Sequence, residues 1–156
     1  MFIALDETGS MRNKIIPSIE SFKHVTKVEV RFADMDSFGH VNNASFLTFI
    51  EQARIKYFDD ISGWRYDPSR EGVILAHASL DFLRPLDFKE KLSVFSLCTR
   101  IGTKSISIVH RIIAGENEEV ATAESILVAF DYNSMRSIPV PAKWREAIST
   151  YEGKTF

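Results

Sequence analysis

The sequence predicts an α+β fold in which one long helix packs on a face of an antiparallel sheet. Three observations predict it. A strongly apolar segment with helical spacing stands early in the chain, four strand-like runs follow it, and two breaks between those runs are short and carry glycine. Consecutive hairpins make an antiparallel sheet, and a lone helix of this polarity has to cover one face of it.

The elements follow in order. Residues 24–32 (HVTKVEVRF) alternate, which places Val28, Val30 and Phe32 on one face of a half-buried strand. The polar stretch from Ala33 to His40, with its glycine, is a loop. Asn42 or Asn43 then supplies a helix N-cap. From there to about Ile61, Phe46, Phe49, Ile50, Ala53 and Tyr57 recur at helical spacing, and Leu47, Ile55 and Phe58 widen the stripe. Such a helix is expected to be mostly covered, and Ser62-Gly63 stops it. Residues 73–83 alternate with Ile74, Ala76, Ala78, Leu80 and Phe82 on one side. Residues 91–101 and 105–114 run into the turns Gly102-Thr103 and Gly115-Glu116-Asn117, and residues 119–131 complete the set. Pro139, Pro141 and residues 142–150 predict a short terminal helix or a tail across the sheet. Residues 1–22 are expected to be an extension or capping segment and residues 23–156 a single domain.

Composition narrows the functional classes. A chain of 156 residues fits one domain, and 45% hydrophobic with 26% charged residues suits a real core. Acids and bases are interspersed at a net charge of -2, with no basic stripe, which argues against a nucleic-acid surface. The single cysteine, Cys98, excludes an internal disulfide framework and a cysteine-rich zinc site, and fits a reducing, cytoplasmic setting. No apolar run approaches the ~20 residues of a membrane span. The N-terminal segment carries acids early and lacks a long apolar core, so no signal peptide is expected. Twelve phenylalanines suit a core or a pocket for an acyl or aryl ligand. His24, His40, His77 and His110 show no i, i+4 pairing, and no Gly-x-Ser-x-Gly elbow, phosphate-cradling loop or dinucleotide fingerprint occurs, so neither a metal nor a redox cofactor is expected.

The most informative stretch is Arg31-Phe32-Ala33-Asp34-Met35-Asp36-Ser37-Phe38-Gly39-His40-Val41-Asn42-Asn43-Ala44-Ser45-Phe46. It sets a carboxylate, Asp36, in a loop immediately before a helix whose first amides lack intrahelical acceptors. Those amides carry the positive end of the helix dipole and suit a carbonyl oxygen that is gaining negative charge. Gly39 is expected to let backbone approach closely. By spacing alone, Asp36 fits a turn or cap residue as well as a catalyst.

Asp-x-Asp-x-x-Gly-His-Val-Asn-Asn, followed by Phe49-Ile50-Glu51-Gln52-Ala53-Arg54, closely resembles the 4-hydroxybenzoyl-CoA thioesterase-like family. Asp81-Phe82-Leu83-Arg84-Pro85-Leu86 is similar to that family's strand-ending Arg-Pro, and Gly102-Thr103-Lys104-Ser105 to its hairpin Lys-Ser. The resemblance covers roughly residues 24–140, and it implies the hotdog fold, a curved antiparallel sheet wrapped around one long helix. It implies an acyl-CoA thioesterase in which Asp36 acts as nucleophile or as general base, the backbone amide of Asn43 polarises the thioester carbonyl, and Gly39 makes room for it. Some family members carry an aromatic where Asn43 stands, so aryl specificity does not follow.

Further candidates are Glu51, as a rival carboxylate or a partner for Arg54 or Lys56, and His40, as a hydrogen-bond partner of Asp36 or of substrate. Arg84, Arg100, Lys104 and Ser105 are candidates for the nucleotide and pantetheine of coenzyme A, which relatives often contact from the neighbouring subunit. Coenzyme A is expected as part of the substrate, with no separate cofactor. An open sheet edge predicts a homodimer or homotetramer. Two other functions fit the same pattern: hydrolysis of acyl groups on acyl carrier protein, and non-catalytic binding of acyl thioesters. A dehydratase fits less well, because the Asp/His pattern of that hotdog branch is absent.

Overall fold

The computed structural model describes residues 16–63 and 70–156. Alternation and helical periodicity fold as their patterns dictate. The chain runs through β1 (His24–Val28), α1 (Ser45–Ser62), β2 (Glu71–Phe82), β3 (Leu92–Ile101), β4 (Ser105–Ala114), β5 (Glu118–Asp131), β6 (Arg136–Ser137) and α2 (Ala142–Glu152). All pairings are antiparallel, in the order β1-β3-β4-β5-β2, with the two-residue β6 added beside β5. Two of the hairpin turns are those expected from their glycines, and Gly115 takes φ +60°, in the left-handed region.

Helix α1 lies on the inner face of this sheet. Phe46, Phe49, Ile50 and Ala53 meet Leu92, Val94, Ile112 and Ala121, while Tyr57 and Phe58 join Cys98, Ile106, Ile108 and Trp144 of α2. Each buried side chain of this size contributes roughly 1.5–3 kcal/mol. Gly63, in the left-handed conformation, ends the helix as Ser62-Gly63 predicts. Helix α2 is fastened from inside: the Tyr57 hydroxyl donates to Glu152 Oε1 at 2.6 Å and the Cys98 amide donates to the same oxygen at 2.9 Å. Burial pushes the Cys98 thiol up to about 12, so it remains a packing group. Residues 16–22 lie against the outer face, where Phe22 is buried with Leu97 and Val109.

Three expectations need correction. Strand β1 stops at Val28, and residues 32–34 form a 3-10 turn, which turns Phe32 outward to 81% exposure instead of aligning it with Val28 and Val30. In β2 the register shifts between Leu75 and His77, so one extra residue sits on that strand. The inner-facing set is therefore Val73, Leu75, Ala78, Leu80 and Phe82, opposite Ala129, Leu127, Ser125, Ala123 and Ala121. Ile74 does not share that face, and strict alternation misassigned it. Helix α1 is also less covered than its composition suggests: Leu47 and Ile55 are about half exposed.

A polar chain crosses the inner face beneath α1. Arg54 Nη1 donates to Ser125 Oγ at 3.4 Å, Ser125 Oγ lies 3.2 Å from His110 Nε2, and His110 Nδ1 lies 3.0 Å from Ser96 Oγ. Complete burial, with Arg54 and His24 nearby, pushes His110 down to about 3, so the ring is neutral. Below about pH 6.5 the unfolded chain binds a proton on this ring while the folded chain does not, so stability falls as pH drops from about 6.5 toward 3. Between pH 6.5 and 5, above the range where most carboxylates titrate, the expected loss is on the order of 1–2 kcal/mol. Denaturant midpoints across that window should show it, and His110→Gln should flatten the profile.

Candidate active site

The segment before α1 is a miniature hairpin. Met35 and Val41 form an antiparallel bridge, the Asp36 amide donates to the His40 carbonyl at 2.8 Å, and the Asn42 amide donates to the Asp34 carbonyl at 2.8 Å. Its base is anchored on both sides. Ser45 Oγ donates to the Asp34 carbonyl, and the Val41 amide donates to the Leu86 carbonyl at 2.8 Å, tying the loop to the segment after β2.

Asp34, which the sequence reading passed over, is the anchor. It is buried, its carboxylate accepts from the Arg31 amide at 2.8 Å and from Arg31 Nη2 at 2.8 Å, and that hydrogen-bonded guanidinium holds it well below the usual carboxylate range. The signal was Arg31 three residues upstream, the spacing of a capped turn. Asp36, by contrast, is half-buried and meets no cation within ion-pair distance among the described residues. Its Oδ1 accepts from the Phe38 amide at 2.8 Å and, more weakly, from the His40 amide at 3.4 Å. Oδ2 has no partner among the described residues. One oxygen holds the turn and the other is free.

The start of α1 is more economical than a row of open donors. The N-cap of α1 is Ala44 and not Asn42 or Asn43; Asn42 closes the turn before it, its Oδ1 accepting from the Ala44 amide at 2.9 Å and its carbonyl from the Ser45 amide at 2.9 Å. The Phe46 and Leu47 amides turn back to the Asn43 and Ala44 carbonyls. Among the described residues, the one amide here without an acceptor is that of Asn43. The donor singled out by resemblance is thus the donor the local geometry leaves unsatisfied.

Gly39 has φ +86°, and a Cβ built there would meet no atom within 4 Å. Its glycine is explained by backbone angle within this chain, and not by crowding. The His40 imidazole is exposed and has no side-chain partner among the described residues; its backbone closes the turn. Glu51 is exposed on α1 and makes no hydrogen bond among the described residues, though its charge is felt by Arg54.

The coenzyme A candidates separate. Arg84 sits at the Asp36 end, but its guanidinium is taken by Glu90 at 2.6 Å, Glu118 at 2.7 Å and the Pro85 carbonyl. It clamps the end of β2 to the β4–β5 turn. Arg100, Lys104 and Ser105 lie at the other end of the sheet, because β3 runs from Leu92 near the loop to Ile101, a span of about 30 Å. Lys104 Nζ there donates to the Ser137 carbonyl at 3.0 Å, while Arg100 is exposed. One chain does not bring these three to Asp36. A groove of about 520 Å³ lined by Asp60, Ile61, Lys143, Glu146 and Tyr151 also lies away from the loop, between the end of α1 and α2. Among the described residues no group of three His, Cys, Asp or Glu side chains is placed to hold a metal ion, and no helix is long and apolar enough to cross a membrane.

Comparisons with known proteins place the chain in a family and match its fold. The family model described as the thioesterase-like superfamily matches residues 30–148. A thioesterase of Thermus thermophilus complexed with coenzyme A and Zn superposes with a TM-score of 0.78 at 34% identity, covering 88% of this chain and 99% of that one. The long-chain acyl-CoA thioesterase FadM of Escherichia coli (strain K12) is 23% identical over 126 residues, which cover 79% of this chain and 95% of FadM. The uncharacterized protein YsmA of Bacillus subtilis (strain 168) is 30% identical over 99 residues, or 64% of this chain, which spans just under two thirds of YsmA, 65%. The architecture is the hotdog fold of thioesterases, a curved antiparallel sheet with one long helix.

Proposed function

Because this chain belongs to the thioesterase-like superfamily, we propose that it is an acyl-CoA thioesterase of the 4-hydroxybenzoyl-CoA type, with Asp36 as its catalytic carboxylate. The observation that carries the reading is the pairing of a free Asp36 Oδ2 with an unsatisfied Asn43 amide on one anchored loop. The thioester carbonyl accepts from the Asn43 amide, which stabilises the oxyanion as it forms. Asp36 then works by one of two balanced routes. As general base it takes a proton from a water whose oxygen adds to the carbonyl carbon, and that proton leaves on the coenzyme A thiolate. As nucleophile its oxygen displaces the thiolate to give a mixed anhydride, which water cleaves to the free acid.

The β2 edge supports a homo-oligomer. β2 is bonded on one side only, to β5, and Ile74 and Leu75 stand 39% and 44% exposed along it. A long apolar edge of this kind is closed by pairing with a second copy. That pairing also brings a partner's Arg100, Lys104 and Ser105 into reach of coenzyme A, which one chain alone does not. We expect sedimentation as a dimer or tetramer; a monomer at micromolar concentration contradicts it. With one buried thiol and no membrane-crossing helix among the described residues, a cytoplasmic site of action fits.

The test is thiol release over a panel of short, long and aromatic acyl-CoAs. Turnover of at least one class is expected, and none over the whole panel refutes the reading. Acyl-carrier-protein thioesters run in parallel decide which carrier is used, and tight binding without turnover would favour a non-catalytic module.

A further inference from the structure

Among the described residues, Arg54 is a cation without an anion. Arg31, Arg84 and Arg111 each pair with a carboxylate. Arg54 is more buried than any of them, at 8% exposure, yet among the described residues no carboxylate lies within ion-pair distance of it. Its only hydrogen bond there runs from Nη1 to Ser125 Oγ, and at 3.4 Å that bond is long. Burial lowers its pKa, and Glu51 one turn away offsets this only through space. A desolvated charge left like this is costly unless something pairs with it. The Nε–Nη2 edge, the side-on fork that matches a carboxylate, has no partner among the described residues, and neither atom is sealed from solvent.

Arg54 stands in line with the start of α1, opposite two strands of the sheet. Leu47, Glu51 and Arg54 follow one another along one flank of α1, with Asn43 in the turn just before it, while Lys56 and Asp60 hold the opposite flank to β1 through His24. Across from the first flank stand Phe82, Leu80 and Ala78 of β2 with Ala121, Ala123 and Ser125 of β5. Phe46 touches Phe82 near the helix start, with ring centroids 5.2 Å apart, and Arg54 touches Ser125, the partner of Ala78. The two walls keep pace: eight helical residues and four strand residues both advance about 12–13 Å. Leu47 and Phe82 offer apolar surface between the two contacts, at 43% and 41% exposure. The stretch from Asn43, past Leu47 and Phe82, to Arg54 therefore has about the length of a medium acyl chain.

We propose that Arg54 is a specificity-determining residue that receives a distal carboxylate on the acyl group, so that the preferred substrates are thioesters of ω-carboxylated acids. This rests on the thioesterase reading and adds the chemistry of the acyl chain. Ser125 and His110 behind it are positioning residues, holding Nη1 and leaving the Nε–Nη2 edge to the carboxylate.

The test compares kcat/KM for matched pairs, sebacoyl-CoA against decanoyl-CoA and the adipoyl, suberoyl and dodecanedioyl thioesters against their alkyl counterparts. The wild-type protein is expected to prefer the carboxylated member of at least one pair by about tenfold to a hundredfold, the range of a charge-assisted pair. Arg54→Met is expected to abolish that preference while alkyl substrates keep their turnover, and Arg54→Lys to retain part of it. Ser125→Ala, the milder change, is expected to lower the carboxylated substrates several-fold and leave alkyl ones unmoved. Hydrolysis of alkyl thioesters with no carboxylate preference at any length overturns this inference alone. Equal losses on both members of a pair, or dissociation of the oligomer in Arg54→Met, assign Arg54 to structure and overturn it as well. No hydrolysis of any thioester overturns the reading beneath it.

Discussion

Asp36→Asn is expected to lower kcat/KM by about a thousandfold or more on every acyl-CoA that the protein turns over, with the thermal midpoint unchanged. The asymmetry of its two oxygens gives the reason. Oδ1 belongs to the turn, accepting from the Phe38 amide, and an asparagine oxygen accepts there equally well. Oδ2 is the free group, and asparagine replaces it with a donor that neither takes a proton from water nor attacks a carbonyl. Positioned general bases contribute about 10²–10⁴-fold, and a lost nucleophile costs at least as much. Retained activity would move the chemistry to Glu51, the rival carboxylate on α1. Steady-state thiol release and a thermal melt on the same preparation decide between these outcomes.

The second large effect concerns the backbone. Asn43→Pro is expected to cost about 10²–10³-fold in kcat, the loss seen when an oxyanion donor is removed, with little change in stability. The N-cap of α1 is Ala44, and Asn43 lies in the turn ahead of it, where its N–H has no acceptor among the described residues and a proline removes no helical bond. The substitution deletes the backbone N–H, and it also removes the carboxamide, which the alanine variant controls for. Asn43→Ala keeps the amide and is expected to stay within a few-fold of wild type. If proline and alanine behave alike, the donor is elsewhere.

The outline of the fold was legible because its signals are local. Alternation and glycine turns placed β3, β4 and β5 within a residue or two, and helical spacing with Ser62-Gly63 placed α1. The errors arose where tertiary structure overrides pattern. The bulge after Leu75 exchanges the faces of β2, and no property of Ile74 or Ala76 announces it. Phe32 reads as a strand residue until the Arg31–Asp34 pair bends the chain outward. At the site, the motif located Asp36 and Asn43 but did not show that the remaining first-turn amides are already used. Arg84 looked like a phosphate ligand because Glu90 and Glu118, which occupy it, arrive from different elements. Arg54 stands in the recognised motif as a neighbour of Glu51, and only the packing of α1 reveals that it is buried and, among the described residues, without a carboxylate.

A structure of the protein with a non-hydrolysable acyl-CoA analogue, its sulfur replaced by methylene, tests the arrangement most directly. The analogue's carbonyl oxygen is expected about 2.7–3.1 Å from the Asn43 amide nitrogen, with its carbonyl carbon facing Asp36 Oδ2 directly or across one water. A carbonyl seated away from the mouth of α1, or one bonded there while Asp36 turns outward, would contradict it.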